Sequence, residues 1–237
     1  MKRVIAIMLF GILASFGCGE KKEEATKANP LNERAYVNDK NKGVAPEELW
    51  VAASQGDLKE AKLALDKGAD VNTKDKEGWT ALIWASAKGH LDVVKLLLDK
   101  GGDVNTETNE GRTALIWASS LGRLDVVKLL LDKGADVTVK DKEGQTALIW
   151  GSAEGHLDVV KLLLDRGADV IVKDKEGQTA LIIASFEGHL DVVKLLLDKG
   201  ADVTVKDKEG QTALYYATKQ GQTDVGDLLK THGATTD

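Results

Sequence analysis

Only one cysteine stands in the 237-residue chain, at position 18. A lone thiol cannot close an intrachain disulfide, so the fold must hold without covalent cross-links. Proline is nearly missing as well. Pro30 and Pro46 are the only two, and after Pro46 no ring clash or lost N–H interrupts a helix. Both methionines fall within the first eight residues. No apolar run reaches the ~20 residues that a membrane-spanning helix needs. Basic excess is absent: the net charge is −6 and the pI near 5.4, which excludes nucleic acid, whose phosphates demand a basic patch. No Gly-x-Gly-x-x-Gly or Gly-Lys-Ser/Thr motif follows a predicted strand, so the glycines cradle no phosphate.

What the chain has instead is repetition. A fixed offset of 33 residues carries Gly78 onto Gly111, Gly144, Gly177 and Gly210, and Thr80 onto Thr113, Thr146, Thr179 and Thr212. Within one unit, Gly78 supplies a turn where positive φ is needed, Thr80 caps a short helix starting at Ala81, and Gly89 ends it. A second helix follows. Leu91, Val94, Leu97 and Leu98 line one face, Val93 and Leu96 widen it, and Asp92, Lys95 and Asp99 form a polar stripe. The segment from Gly101 to Glu107 is too polar and glycine-bounded for a helix and suits an extended arm with a tight turn. Such a helix pair cannot bury both faces alone, so each copy must stack on its neighbours.

The order Asp-x-x-Gly-x-Thr-x-Leu, Gly-His-Leu-Asp-Val-Val-Lys-Leu-Leu-Leu, Gly-Ala-Asp-Val resembles the ankyrin repeat in period and motif, over residues 44–237. The resemblance implies an all-α solenoid of helix pairs with extended, β-hairpin-like arms. It also implies a chain that binds another protein. The family's Thr-Pro-Leu-His is Thr80-Ala81-Leu82-Ile83 here, and TALI recurs at 113, 146 and 179. The proline that pre-sets a first turn is therefore gone, and threonine capping must suffice.

The ends differ from the middle. Residues 1–17 open with Lys2 and Arg3 and continue with an uncharged run from Val4 to Phe16, which reads as a secretory signal. Losing Lys2 and Arg3 with it would take the charge from −6 to −8. Cys18 sits where a bacterial lipoprotein is lipidated, although Ser15 and Phe16 are a loose match to that site, and plain cleavage after Gly17 is the other reading. Several acyl chains on Cys18 would anchor stably, and Gly19 after it directs such proteins to the outer membrane by the family rule. Residues 18–43 form a charged tether able to span on the order of 30 Å. Tyr36 and Val37 could pack on the first repeat.

From Ala45 a degenerate first copy begins, with Pro46 in its first turn, Glu47 and Glu48 at its positive end, and Leu49, Trp50 and Ala53 as its apolar side. Glu60 and Ala61 stand where later copies have valines. At the far end Gly226 replaces a valine and Lys230 a leucine. Both ends read as polar caps of a six-repeat, single-domain array, expected as a monomer.

No catalytic constellation emerges, no cofactor or metal is implied, and the expectation is a non-enzyme. His90, His156 and His189 recur at the start of the second helix, with Arg123 and Gln222 in other copies, which suits a structural position rather than metal ligation. Ser86, Ser119, Ser152 and Ser185 recur where the family has a small buried residue. Trp84, Trp117, Trp150, Ile183 and Tyr216 form a ladder that reads as core or as an aromatic groove wall. Lys-Asp-Lys-Glu arms at 74, 140, 173 and 206 reflect either recent duplication or a target that itself repeats.

Departures from the unit are the candidate site. Trp79, Arg112, Leu121 and Phe186 are expected as an exposed apolar patch with a charged rim on the concave face, joined by Trp84, Trp117, Trp150 and Tyr216; Lys219 and Gln220 also vary, and neutral drift is the rival. The function expected is an exported, protein-binding scaffold, a lipoprotein on the periplasmic side of the outer membrane that binds, protects or inhibits an envelope protein. The alternatives are a secreted or surface effector aimed at host or competitor proteins and, remotely, a hydrolase with a site assembled across repeats.

Overall fold

The structure, a computed structural model, describes residues 45–235; the leader, Cys18 and the tether with Tyr36 and Val37 lie outside the described residues. Among the described residues twelve helices make six pairs: α1 Pro46–Gln55 with α2 Leu58–Asp66, α3 Ala81–Lys88 with α4 Leu91–Asp99, α5 Ala114–Ser120 with α6 Leu124–Asp132, α7 Ala147–Ala153 with α8 Leu157–Asp165, α9 Ala180–Glu187 with α10 Leu190–Asp198, and α11 Ala213–Lys219 with α12 Thr223–Thr231. The first helix of each pair stacks on the first helices of its neighbours, forming an inner layer, and the second helices form an outer one. Among the described residues there is no strand, and the molecule is an all-α solenoid.

Threonine capping replaces the missing proline. The Oγ1 of Thr80, Thr113, Thr146, Thr179 and Thr212 accepts the backbone N–H three residues on. The four central outer helices each bury two valines and a leucine, such as Val93, Val94 and Leu97, and each side chain contributes about 1.5–3 kcal/mol. The expected apolar face is corrected at its first residue. Leu91, Leu124, Leu157 and Leu190 are more than a third exposed, because helical side chains lean toward the N-terminus and only a turn precedes them.

The arms are turns rather than hairpin strands. In each, the N–H of the aspartate, or of Thr108 in the second arm, donates to the carbonyl four residues on, as Asp141 does to Gln145 at 2.9 Å, and the ladder goes no further. Their tips instead join sideways: Asn109, Lys142, Lys175 and Lys208 donate their N–H to Glu77, Glu110, Glu143 and Glu176 of the preceding arm. Glu60 near the first end and Lys230 near the last are exposed, whereas Gly226 is buried beside Leu214 and adds nothing polar.

The starts of the four central outer helices tie repeats together. The Nε2 of His90, His156 and His189 lies 2.9–3.1 Å from the carbonyls of Ser54, Ser120 and Ala153 in the preceding repeat, and the Arg123 Nε donates to Ala87 at 3.2 Å. Asp57, at the same position in the first repeat, caps its own helix at Lys59 and Glu60. The glycine before each histidine faces two demands. Gly155 has φ +73°, and a Cβ there would stand 2.6 Å from the His189 ring.

Gly167 separates these demands, since its φ is +89° with open space around it. Gly167→Ala should therefore cost about 1–2 kcal/mol from backbone conformation alone, and Gly155→Ala measurably more, in urea unfolding. Equal losses would show that the close approach to His189 carries no weight.

Candidate functional site

Four of the arms are centred on one aspartate, and the arm between them on Thr108. The Oδ1 of Asp75, Asp141, Asp174 and Asp207 accepts the N–H groups two and four residues on, closing the turn at 2.8–3.0 Å. The Oδ2 reaches the inner helix: Trp84 Nε1 donates to Asp75 at 3.1 Å, Trp150 Nε1 to Asp141 at 3.0 Å, and the Tyr216 hydroxyl to Asp207 at 2.7 Å. Burial, and then this bond to a carboxylate, hold the Tyr216 phenol far above its usual range.

The preceding arm supplies a second donor. Arg112 Nε lies 3.2 Å from Asp141 Oδ2, and Gln145 Nε2 lies 3.5 Å from Asp174 Oδ2, where Ile183 offers no donor. Burial pushes the Asp174 carboxyl up, against the lowering effect of its N–H donors.

These residues form a stacked column. Trp79 lies between Trp84 and Trp117 with ring centroids 4.4 and 4.7 Å away, and the Arg112 guanidinium lies between Trp117 and Trp150, 5.0 and 4.3 Å from their rings. The expected exposed patch is thereby corrected. Trp79 is 9% exposed and Arg112 7%, because the column sandwiches both and Asp141 holds the guanidinium inside. Trp117, Trp150 and Tyr216 are buried as core, and Trp84 is half-buried.

The junctions differ in chemistry. Trp79 stands at the position of Arg112 and Gln145, and the arm it faces has Thr108 in place of the aspartate. That junction is apolar where its neighbours are ionic or amide. Thr108 Oγ1 accepts from Glu110 and Arg112 N–H groups, so it closes its turn but offers nothing to Trp117, whose buried Nε1 has no partner. The aspartate as anchor was missed in the sequence; the signal was its constant nine-residue offset from the ladder position and 29-residue offset from Arg112 or Gln145.

Of the predicted site residues, Leu121 and Phe186 remain at the surface. Both are half-buried at the ends of α5 and α9, in consecutive places of the turn into the outer helix, and Phe186 meets Tyr216 edge-on at 5.8 Å. Glu154 and Glu187 share this edge and were not singled out by sequence. The four recurring serines are fully buried with their hydroxyls unpartnered, so no base activates them. Among the described residues no group of three His, Cys, Asp or Glu could hold a metal ion, and no helix is long and apolar enough to cross a membrane.

Removing one member of a buried pair leaves an uncompensated charge, so Asp141→Ala should cost about 3–5 kcal/mol in urea unfolding. Trp79→Gln with Thr108→Asp should rebuild an amide junction like that of Gln145 and Asp174. Their double-mutant cycle should show favourable coupling of about 1 kcal/mol, and none if the junction positions are independent.

No curated protein matches this chain. A family model described as ankyrin repeats in three copies matches residues 49–141 and 167–237, and one described as a single ankyrin repeat matches 143–175. Together with the six stacked helix pairs, these matches establish that the chain belongs to the ankyrin-repeat family, whose members are protein–protein interaction scaffolds.

Proposed function

We propose that this scaffold is exported, anchored at the periplasmic side of the outer membrane through Cys18, and holds an envelope protein on the inner-helix side by surface complementarity. Export and anchoring rest on the sequence: a charged start, the uncharged run from Val4 to Phe16, and one cysteine followed by Gly19. The observation that carries the binding reading is that Leu121 and Phe186 stay half-exposed at the ends of inner helices whose other apolar side chains are buried.

Binding needs no bond made or broken. The aspartate anchors, the helix-start histidines and the ring column lock arms and inner helices before a partner arrives, so little conformational freedom is lost on association. The mature chain acts as a rigid mount, with residues 18–43 as its tether.

Photo-crosslinking in the native cell tests both partner and face, with a probe at position 121 and a control at Lys128, exposed on α6. One envelope protein should be captured from 121 alone; equal or empty capture from both positions rejects the face. Labelled fatty acid should be incorporated into the chain and lost in Cys18→Ser, and label retained in that variant rejects the anchor.

A further inference from the structure

The residues at the turn from inner to outer helix form two rows, one place per repeat. The first row reads Lys88, Leu121, Glu154, Glu187 and Gln220; the second reads Ala87, Ser120, Ala153, Phe186 and Lys219. Ala87, Ser120 and Ala153 are buried, which keeps the floor low until Phe186 rises from it. Glu154 and Glu187 are exposed neighbours on adjacent repeats, and among the described residues neither forms a salt bridge. Burial raises the Glu187 carboxyl, His189 opposes this, and Glu154 adds repulsion. Two exposed carboxylates on adjacent repeats that repel each other and form no salt bridge are a cost in the free chain that a cationic partner would relieve. The overall charge of −6 would steer the same kind of partner toward the chain.

Spacing narrows the shape of that partner. Packed helices lie roughly 8–10 Å apart, so the row offers one position about every 10 Å. A helix rises 1.5 Å per residue, and seven residues advance about 10.5 Å while returning to nearly the same side. An extended segment covers that distance in about three residues, which turns alternate side chains away from the face.

Resting on the binding face argued above, we propose that its occupant is an amphipathic helix with an apolar residue seated between Leu121 and the Ala153 floor and basic residues at the next two seven-residue steps, over Glu154 and Glu187. Phe186 closes the far end of the seat, and Leu121 the near end.

A library of random 20-residue peptides displayed on phage, selected on the full chain, tests this. Parallel selections use Glu154→Gln with Glu187→Gln, and Leu121→Asp, each checked for unchanged helicity by circular dichroism. Enriched peptides should carry Leu or Phe followed by Arg or Lys at seven-residue steps, gain helicity on binding, and bind the double glutamine variant at least tenfold more weakly. Peptides that lack basic residues, or bind without gaining helicity, overturn the proposal. Ligands lost with Leu121→Asp yet indifferent to the glutamine pair overturn the cationic occupant and leave the face standing. Ligands indifferent to both overturn both readings. An empty selection overturns the helical occupant, and capture from position 121 then decides the face by itself.

Discussion

The carboxylate of the arm aspartate is the constraint on which the repeat array depends. One oxygen closes the turn and the other ties that turn to an inner helix, so a single side chain converts a glycine-bounded loop into a fixed part of the scaffold. At Asp141 the same oxygen also receives Arg112 from the preceding arm, which links two repeats through one atom. Such a buried pair is weak grounds for claiming net stability, because desolvation of both charges offsets much of their attraction. Its better defined effect is geometric. Once Arg112 is inside, its guanidinium lies between Trp117 and Trp150, 5.0 and 4.3 Å from their rings, so one side chain contacts the rings of two repeats.

The repeat architecture was legible because it rests on local periodicity. Threonine caps, glycine turns and the valine–leucine face each declare themselves within one unit, and the 33-residue offset says that the units stack. The candidate face was less legible, since its make-up depends on what neighbouring repeats cover. Trp79 and Arg112 look like surface variation in sequence, being departures from a copied unit. Their departure is a change of junction chemistry: tryptophan faces Thr108 where arginine faces Asp141. No single repeat contains both halves of a junction, so the pairing is invisible until position 112 is read against 141. Leu121 and Phe186 stand out in the sequence because they vary from the copied unit, whereas Glu154 and Glu187 look like ordinary solvated charges until the stacking puts them on adjacent repeats.

The outer layer shows which regularities matter less. Lys100, Lys133, Arg166 and Lys199 each pair with the aspartate that ends the preceding outer helix, at 2.7–3.8 Å. These pairs are exposed, and such pairs contribute on the order of 0–1 kcal/mol each. The inner contacts do more with fewer residues because they exclude water, and their loss exposes donors that have nowhere else to bond.

Coupling between repeats is also uneven along the chain. Asn72 and Asn105 bridge to the next repeat, each donating to a glycine carbonyl and accepting the N–H of Asp103 or Asp136. Further on, Thr138 and Thr204 fold back onto Asp136 and Asp202 of their own turns, and Ile171 stands exposed. The later junctions therefore rely on helix stacking, the histidine bridges and the aspartate anchors without this extra tie. Glu154, Phe186 and Glu187 belong to the repeats that meet at those junctions. An occupant reaching from Leu121 to Glu187 would itself supply the cross-repeat connection that the asparagines provide nearer the start, so binding and stiffening of the later repeats would be one event.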